Sequence, residues 1–196
     1  MDSSAEKNLD DTVITDTTAI VLAGGKGSRM NFEEKAWVIH RGKPLIMHVI
    51  DQVKPQVSGI LVSRNRPDPR YDDLPFICIA DENSNFDGPL AGVAACLKEV
   101  QFPFTLIVPC DTPNLPGDLV PVLKANLGNS DVCIAVDEDR DQPLIMLAKT
   151  RCLSTMADYL RKGGRSVHGW LERQTLSRAQ FAGAQLHNIN EGSQLE

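Results

Sequence analysis

Apolar residues fall into short blocks along this chain, separated by turns rich in glycine, proline and acids, and the spacing inside each block predicts its element. Residues 18–21 (Thr18, Ala19, Ile20, Val21) form a β-branched apolar run that predicts a buried strand, followed at once by a glycine-rich loop. Lys43-Pro44 opens a helical pattern carried by Leu45, Ile46, Val49, Ile50 and Val53 and ended by Pro55. Strands are expected at 57–63, 76–80, 104–108, 132–136 and 144–148, and helices at 88–100, 119–127, 153–161 and 167–174. The string RNRPDPR at 64–70 reads as a loop. Strands separated by helical segments imply parallel crossovers, so the expected fold class is a three-layer α/β sandwich on a mostly parallel sheet. There is no internal repeat and no linker, which makes residues 18–196 one domain.

Charge divides the chain unevenly. The formal charge is −6, and residues 1–17 hold Asp2, Glu6, Asp10, Asp11 and Asp16 against Lys7. That segment is expected to be a disordered acidic tail. With an acidic balance and no long basic stripe, nucleic acid is not the expected partner. Positive charge gathers beside the glycine-rich loop: between Lys26 and Lys43 stand Lys26, Arg29, Lys35, Arg41 and Lys43 against Glu33 and Glu34. Residues 1–17 lack the apolar core of a signal peptide and no apolar run reaches the ~18 residues of a membrane span, so a cytoplasmic location without membrane attachment is expected. Cys78, Cys96, Cys110, Cys133 and Cys152 lie mostly within apolar runs without metal-ligand spacing, and read as buried reduced thiols.

Candidate chemistry collects where strands end. Residues 22–35 read LAGGKGSRMNFEEK, in which Gly24, Gly25 and Gly27 permit positive φ and close approach of backbone N–H groups to an anion, while Lys26, Arg29 and Lys35 add charge. This suits a polyphosphate, although neither GxxxxGK[ST] nor a complete dinucleotide fingerprint is present. In open α/β sheets ligands sit beyond the carboxyl ends of the strands, and here Ser63 and Asn65, Asp81 and Asp111 follow successive predicted strands to the same edge. Asp111, flanked by Pro109 and Pro113, is held stiffly and suits Mg²⁺ completed by phosphate oxygens and water; the alternative is a loop aspartate that caps the next helix. Asp81 could read the adjacent N–H donors of guanine, or serve as a turn residue in DENSNFDG. Arg29 can fork onto phosphate and Lys35 act as a point charge there. His48, on the apolar helix face, reads as a packing residue, and no nucleophile–histidine pairing is suggested, which disfavours covalent catalysis.

Taken together, LAGGKGSRM with Lys35, GKPL at 42–45, GPLAG at 88–92, PCDTP at 109–113 and Asn188-Ile189-Asn190 resemble the molybdenum cofactor guanylyltransferases over residues 18 to about 191. The resemblance implies a Rossmann-like nucleotidyltransferase domain that moves GMP from GTP to molybdopterin with release of pyrophosphate. It implies that Leu22, Ala23, Gly24 and Gly25 meet the nucleotide, Arg29 and Lys35 the phosphates, Asp81 the guanine and Asp111 the Mg²⁺. Ser63 follows the second strand where the family tends to have asparagine, and is assigned to the nucleotide. Asn188 and Asn190 are expected near the metal or pterin, with Arg165 a further candidate there. Molybdenum insertion machinery and molybdoenzyme acceptors are the implied partners.

The chain departs from the family pattern at Asn31-Phe32, Ser63, Gln142 and Glu191-Gly192. Phenylalanine tolerates positive φ poorly, so Phe32 is expected to favour an open loop without nucleotide. Transfer from CTP or onto a sugar phosphate, and a nucleotide-binding relative without turnover, remain alternatives on the sequence.

Overall fold

The computed structural model describes residues 16–24, 34–80, 88–138, 140–182 and 185–189. In chain order the strands are β1 (Thr17–Leu22), β2 (Ile39–His40), β3 (Lys43–Pro44), β4 (Gly59–Arg64), β5 (Ile77–Ala80), β6 (Phe104–Pro109), β7 (Val132–Asp137), β8 (Arg140–Lys149) and β9 (Leu176–Phe181). The helices are α1 (Leu45–Val53), α2 (Pro89–Cys96), α3 (Leu119–Leu127), α4 (Thr150–Arg161) and α5 (Val167–Leu171). Seven strands form one sheet in the order β5-β4-β1-β6-β8-β7-β9, and β2-β3 is a separate hairpin.

Alternation along each strand builds the three layers, because successive side chains leave a strand on opposite faces. Ala19 and Val21 of β1, with Leu106 and Val108 of β6, pack on one face with Ile46, Val49, Ile50 and Val53 of α1 and Leu119, Leu123 and Leu127 of α3. Ile20 and Leu22, with Ile107 of β6, pack on the other face with Leu90 and Val93 of α2, Leu153 and Met156 of α4 and Trp170 of α5. Both faces of the central strands are thus dry, which accounts for their unbroken apolar runs.

Several expectations shift in detail. The first strand begins at Thr17, itself 1% exposed, one residue before its expected start, and Asp16 pairs with Lys124. Pro44 belongs to a hairpin strand and precedes the helix, which begins at Leu45. The helix expected over 88–100 ends at Cys96 and continues as a 3₁₀ turn, Leu97–Glu99. The one expected over 167–174 stops at Leu171, and β9 follows it.

Most strands are parallel, as expected, but β8 runs antiparallel to both β6 and β7. The β7–β8 ladder is irregular: Ile134 pairs with Met146, but Ala135 pairs with Gln142. Pro143 lies inside the skipped stretch, where its lack of an N–H leaves no ladder bond to lose. This irregularity resets the register of the hairpin end, where Asp137 pairs with Arg140. Cys78 is half-buried, whereas the other four thiols are buried, and all five are free. Burial pushes every one of them up, Cys96 and Cys152 to about 12, so they stay protonated.

Candidate active site

The centre of the carboxyl edge is the junction of β1, β4 and β6. Past the end of β1, Ala23 N–H donates to Ser63 C=O at 2.8 Å, and Cys110 N–H donates to Leu22 C=O at 3.0 Å. These bonds extend the parallel ladders by one residue and fix where the Leu22–Ala23–Gly24 backbone leaves the sheet. Gly24 does not take a positive φ, one of the two freedoms a glycine allows there. Its reason is spatial: a Cβ there would collide with the side-chain amide of Asn65.

The Ser63 side chain is turned away from the edge. It is 1% exposed and its Oγ faces Gly92, whose missing Cβ lets α2 approach β4. Ser63 therefore reaches the edge through its carbonyl, while Asn65, two residues on, lies against the glycine turn.

Asp111 follows β6 as expected. Lys35, the first residue of a 3₁₀ turn (Lys35–Trp37), donates from Nζ to Asp111 Oδ2 at 2.5 Å. Asp111 Oδ1 is buried without a hydrogen-bond partner. A carboxylate with one oxygen on an ammonium and the other uncommitted fits a hard cation that takes its remaining ligands from phosphate and water. Among the described residues no group of three or more His, Cys, Asp or Glu could hold a metal without such help.

The chain returns to this point at its far end. Ile189 N–H donates to Asp111 C=O at 2.8 Å, and Thr112 Oγ1 donates to Asn188 Oδ1 at 2.7 Å. Ile189 also packs on Val38 and Leu45. Asn188 is thus brought beside the aspartate. Arg165 lies near the start of α2, but its side chain donates to the carbonyls of Leu160 and Gly164. Residues 25–33, 81–87 and 190–196, and with them Gly25, Lys26, Gly27, Arg29, Phe32, Asp81 and Asn190, lie outside the described residues.

A polar cluster beside Lys35 was not expected from the sequence. The RNRPDPR loop contains a 3₁₀ turn, Pro69–Tyr71, capped by Asp68, whose carboxylate takes a fork of bonds from Arg70. That guanidinium holds the Asp68 carboxyl down to about 2. Arg70 also lies over the Trp37 ring at 5.0 Å, and Trp37 meets Tyr71 edge-on with centroids 5.0 Å apart. Burial, and then the charge of Asp68, pushes Glu34 up. The legible signal was Asp-Pro-Arg: a capping acid, proline at the first turn and a basic partner.

A mostly parallel seven-strand sheet that brings Leu22–Gly24 after β1 and Asp111 after β6 to one edge is the architecture of nucleotidyltransferases: one from Methanothermobacter superposes with a TM-score of 0.72 at 18% identity, covering 91% of this chain and 93% of that one. Residues 19–178 match the model of the MobA-like NTP transferase domain. The molybdenum cofactor guanylyltransferase of Shewanella putrefaciens is 40% identical over 166 residues, covering 84% of this chain and 85% of that one. A second, from Shewanella baltica, is 40% identical over 154 residues, covering 78% and 79%. Among solved structures, molybdopterin-guanine dinucleotide biosynthesis protein A from Archaeoglobus fulgidus superposes with a TM-score of 0.70 at 20% identity, covering 91% of this chain and 94% of that one. The 2-C-methyl-D-erythritol 4-phosphate cytidylyltransferase of Thermus thermophilus gives 0.65 at 18% identity, covering 91% and 94%, so this fold also serves a different base. The chain belongs to the molybdenum cofactor guanylyltransferase family of MobA-like NTP transferases.

Proposed function

We propose that this chain transfers GMP from GTP to the terminal phosphate of molybdopterin, making the guanine dinucleotide form and releasing pyrophosphate. The observation that carries the reading is the Lys35–Asp111 pair with Asp111 Oδ1 left uncommitted, set between the β1 turn and the returning 188–189 segment. A phosphate oxygen of the acceptor attacks the α-phosphorus of GTP in line, and the bond to the β-phosphate oxygen breaks. The nucleophile is already anionic, so the chain's task is positioning and charge neutralisation.

Asp111 would hold Mg²⁺, which when bound neutralises charge on the triphosphate. Lys35 orients the Asp111 carboxylate through Oδ2 and brings its own positive charge to the phosphates. Leu22, Ala23, Gly24 and Gly25 cradle the nucleotide, Arg29 joins Lys35 on the phosphates, and Asp81 accepts from the guanine N–H groups. Asn188 and Asn190 serve the acceptor side. Nucleic acid has no part in the reaction, and no described helix is long and apolar enough to cross a membrane. We place the reaction in the cytoplasm, upstream of molybdoenzyme acceptors.

The test is pyrophosphate release with molybdopterin and Mg²⁺, run separately with GTP, CTP and ATP. Release with GTP alone is expected. Equal release with CTP, or tight GTP binding without release, would overturn the reading.

A further inference from the structure

A second polar site lies on the same sheet edge, past β7. A cavity of about 310 Å³ opens there, lined among the described residues by Asp137, Glu138, Arg140 and His187. Its anchor is Asp137, whose side chain is only 5% exposed. One carboxylate oxygen, Oδ2, lies 3.2 Å from His187 Nε2, while Oδ1 is buried with no hydrogen-bond partner. A buried carboxylate oxygen left without a donor costs free energy that a ligand N–H can recover. Arg140, opposite it at the hairpin end, offers guanidinium donors to acceptor atoms on the same ligand.

The location narrows the ligand. Because β7 runs in the same direction as β6, Asp137 and Asp111 leave the sheet at the same edge. His187 of the cavity is two residues from Ile189, whose N–H is bonded to the Asp111 carbonyl. Two extended residues span roughly 7 Å. A ligand in the cavity with a phosphate at its far end can therefore present that phosphate near Asp111. The volume is at the small end for a ligand site, which suits a fused ring system rather than a whole nucleotide.

We propose that this cavity binds the 2-amino-4-oxopyrimidine edge of the acceptor's pterin, with Asp137 accepting from the ring N3–H and the 2-amino group and His187 orienting the carboxylate. The proposal rests on the transfer reading above for the identity of the acceptor, but its recognition chemistry can be tested apart from turnover. Guanine carries the same pair of donors. The test must therefore separate a pterin in this cavity from a pterin that has entered the guanine position.

The probe is 6-carboxypterin, followed by its own fluorescence during titration with the full chain saturated in GTP and Mg²⁺. Binding that survives saturating GTP is expected, with at least tenfold weaker binding of 6-carboxylumazine, which carries an oxo group in place of the 2-amino group. Asp137→Asn, which presents an amide donor to ring donors, should weaken 6-carboxypterin at least tenfold and leave GTP binding within twofold. Displacement of the pterin by GTP, equal binding of pterin and lumazine, no detectable binding, or a folded Asp137→Asn with wild-type pterin affinity would each overturn the proposal. Should Asp137→Asn not fold, the pterin–lumazine comparison on the wild type decides. Wild type that binds the pterin yet releases no pyrophosphate from GTP and molybdopterin would sink the transfer reading and leave this one standing.

Discussion

The two halves of the carboxyl edge are built on different principles. On the side of β1, β4 and β5 all strands are parallel, and what the described residues present past β1 is backbone: the turn after Leu22 is pinned by ladder bonds to Ser63 and Cys110. On the side of β8, β7 and β9 an antiparallel hairpin with an irregular register presents side chains: Asp137, Arg140 and the returning His187. Backbone amides at a fixed turn suit phosphates, which every nucleotide shares. Side chains on a hairpin end suit a ring whose hydrogen-bonding edge must be told from others. Asp111 stands between, bonded to Lys35 on one side and to Ile189 on the other.

Removing the shared centre should cost most. Asp111→Ala is expected to lower transfer by about 10²-fold or more with the fold intact, since one such electrostatic anchor is typically worth that much. Pyrophosphate release above a tenth of wild type at saturating Mg²⁺ would show that Asp111 does not hold the metal.

The next two changes address the nucleotide half alone. Asp81→Asn should weaken GTP by roughly 1–3 kcal/mol while leaving ATP unchanged, because the amide opposes donor to donor. Equal losses for both nucleotides would remove Asp81 from base reading. Gly24→Ala forces a Cβ into Asn65. About a tenfold rise in the KM for GTP is expected from shifting this turn, with acceptor KM unaltered; an unchanged GTP KM would mean that the turn does not cradle the nucleotide.

Thr112→Val keeps the shape of a fully buried side chain but deletes its bond to Asn188. A loss of about 1 kcal/mol, read as a several-fold rise in acceptor KM alone, is the expected outcome. A matching rise for GTP would erase the division between the halves at this point.

The smallest effect lies in the cluster beside Lys35. Because the folded state raises the Glu34 pKa, ionised Glu34 opposes folding at neutral pH, and that opposition fades as pH falls through its folded value. Glu34→Gln should therefore raise the melting midpoint by a few degrees at pH 7 and by nothing below about pH 4. Asp68 has the opposite sign: its stabilisation is complete above its usual value of 3.8 and is lost as pH falls towards about 2. A Glu34→Gln variant with the same gain at both pH values would show that ionisation is not the cause.

Legibility in the sequence followed the same division. The apolar runs of β1, β4 and β6 and the helical spacing of α1 and α3 were readable because burial on both faces, or on one stripe, leaves a strong periodic mark. Lys35 and Asp111 were readable as residues, though their pairing required the fold. The β2–β3 hairpin was not expected, although its turn, Arg41-Gly42, has positive φ at both positions. An arginine there is an uncommon signal. Strand β9 has a mixed burial pattern at the sheet's outer edge, and its LSRAQF sequence carries little periodicity. The covering of the Ser63 side chain could not be read, because the twofold alternation of a strand assigns a face but does not say whether a neighbouring helix will close over it; Gly92 of α2 does so. Asp137 went unnoticed because VDEDR reads as a solvated acidic turn, whereas its pairing with Arg140 at the end of β7 comes with a side chain only 5% exposed.

The return of residues 185–189 onto Asp111 and Thr112 has a consequence for how the protein comes into being. During synthesis the chain emerges with β1, β4 and β6 well ahead of Asn188, so the sheet that carries the turn and the aspartate can assemble while the closing segment is still being made. Nascent chains paused before residue 185 should then acquire the central sheet without the bonds that Thr112 and Asp111 make to Asn188 and Ile189. Competence would arrive later than shape, once residues 185–189 have left the ribosome and reached Asp111 and Thr112.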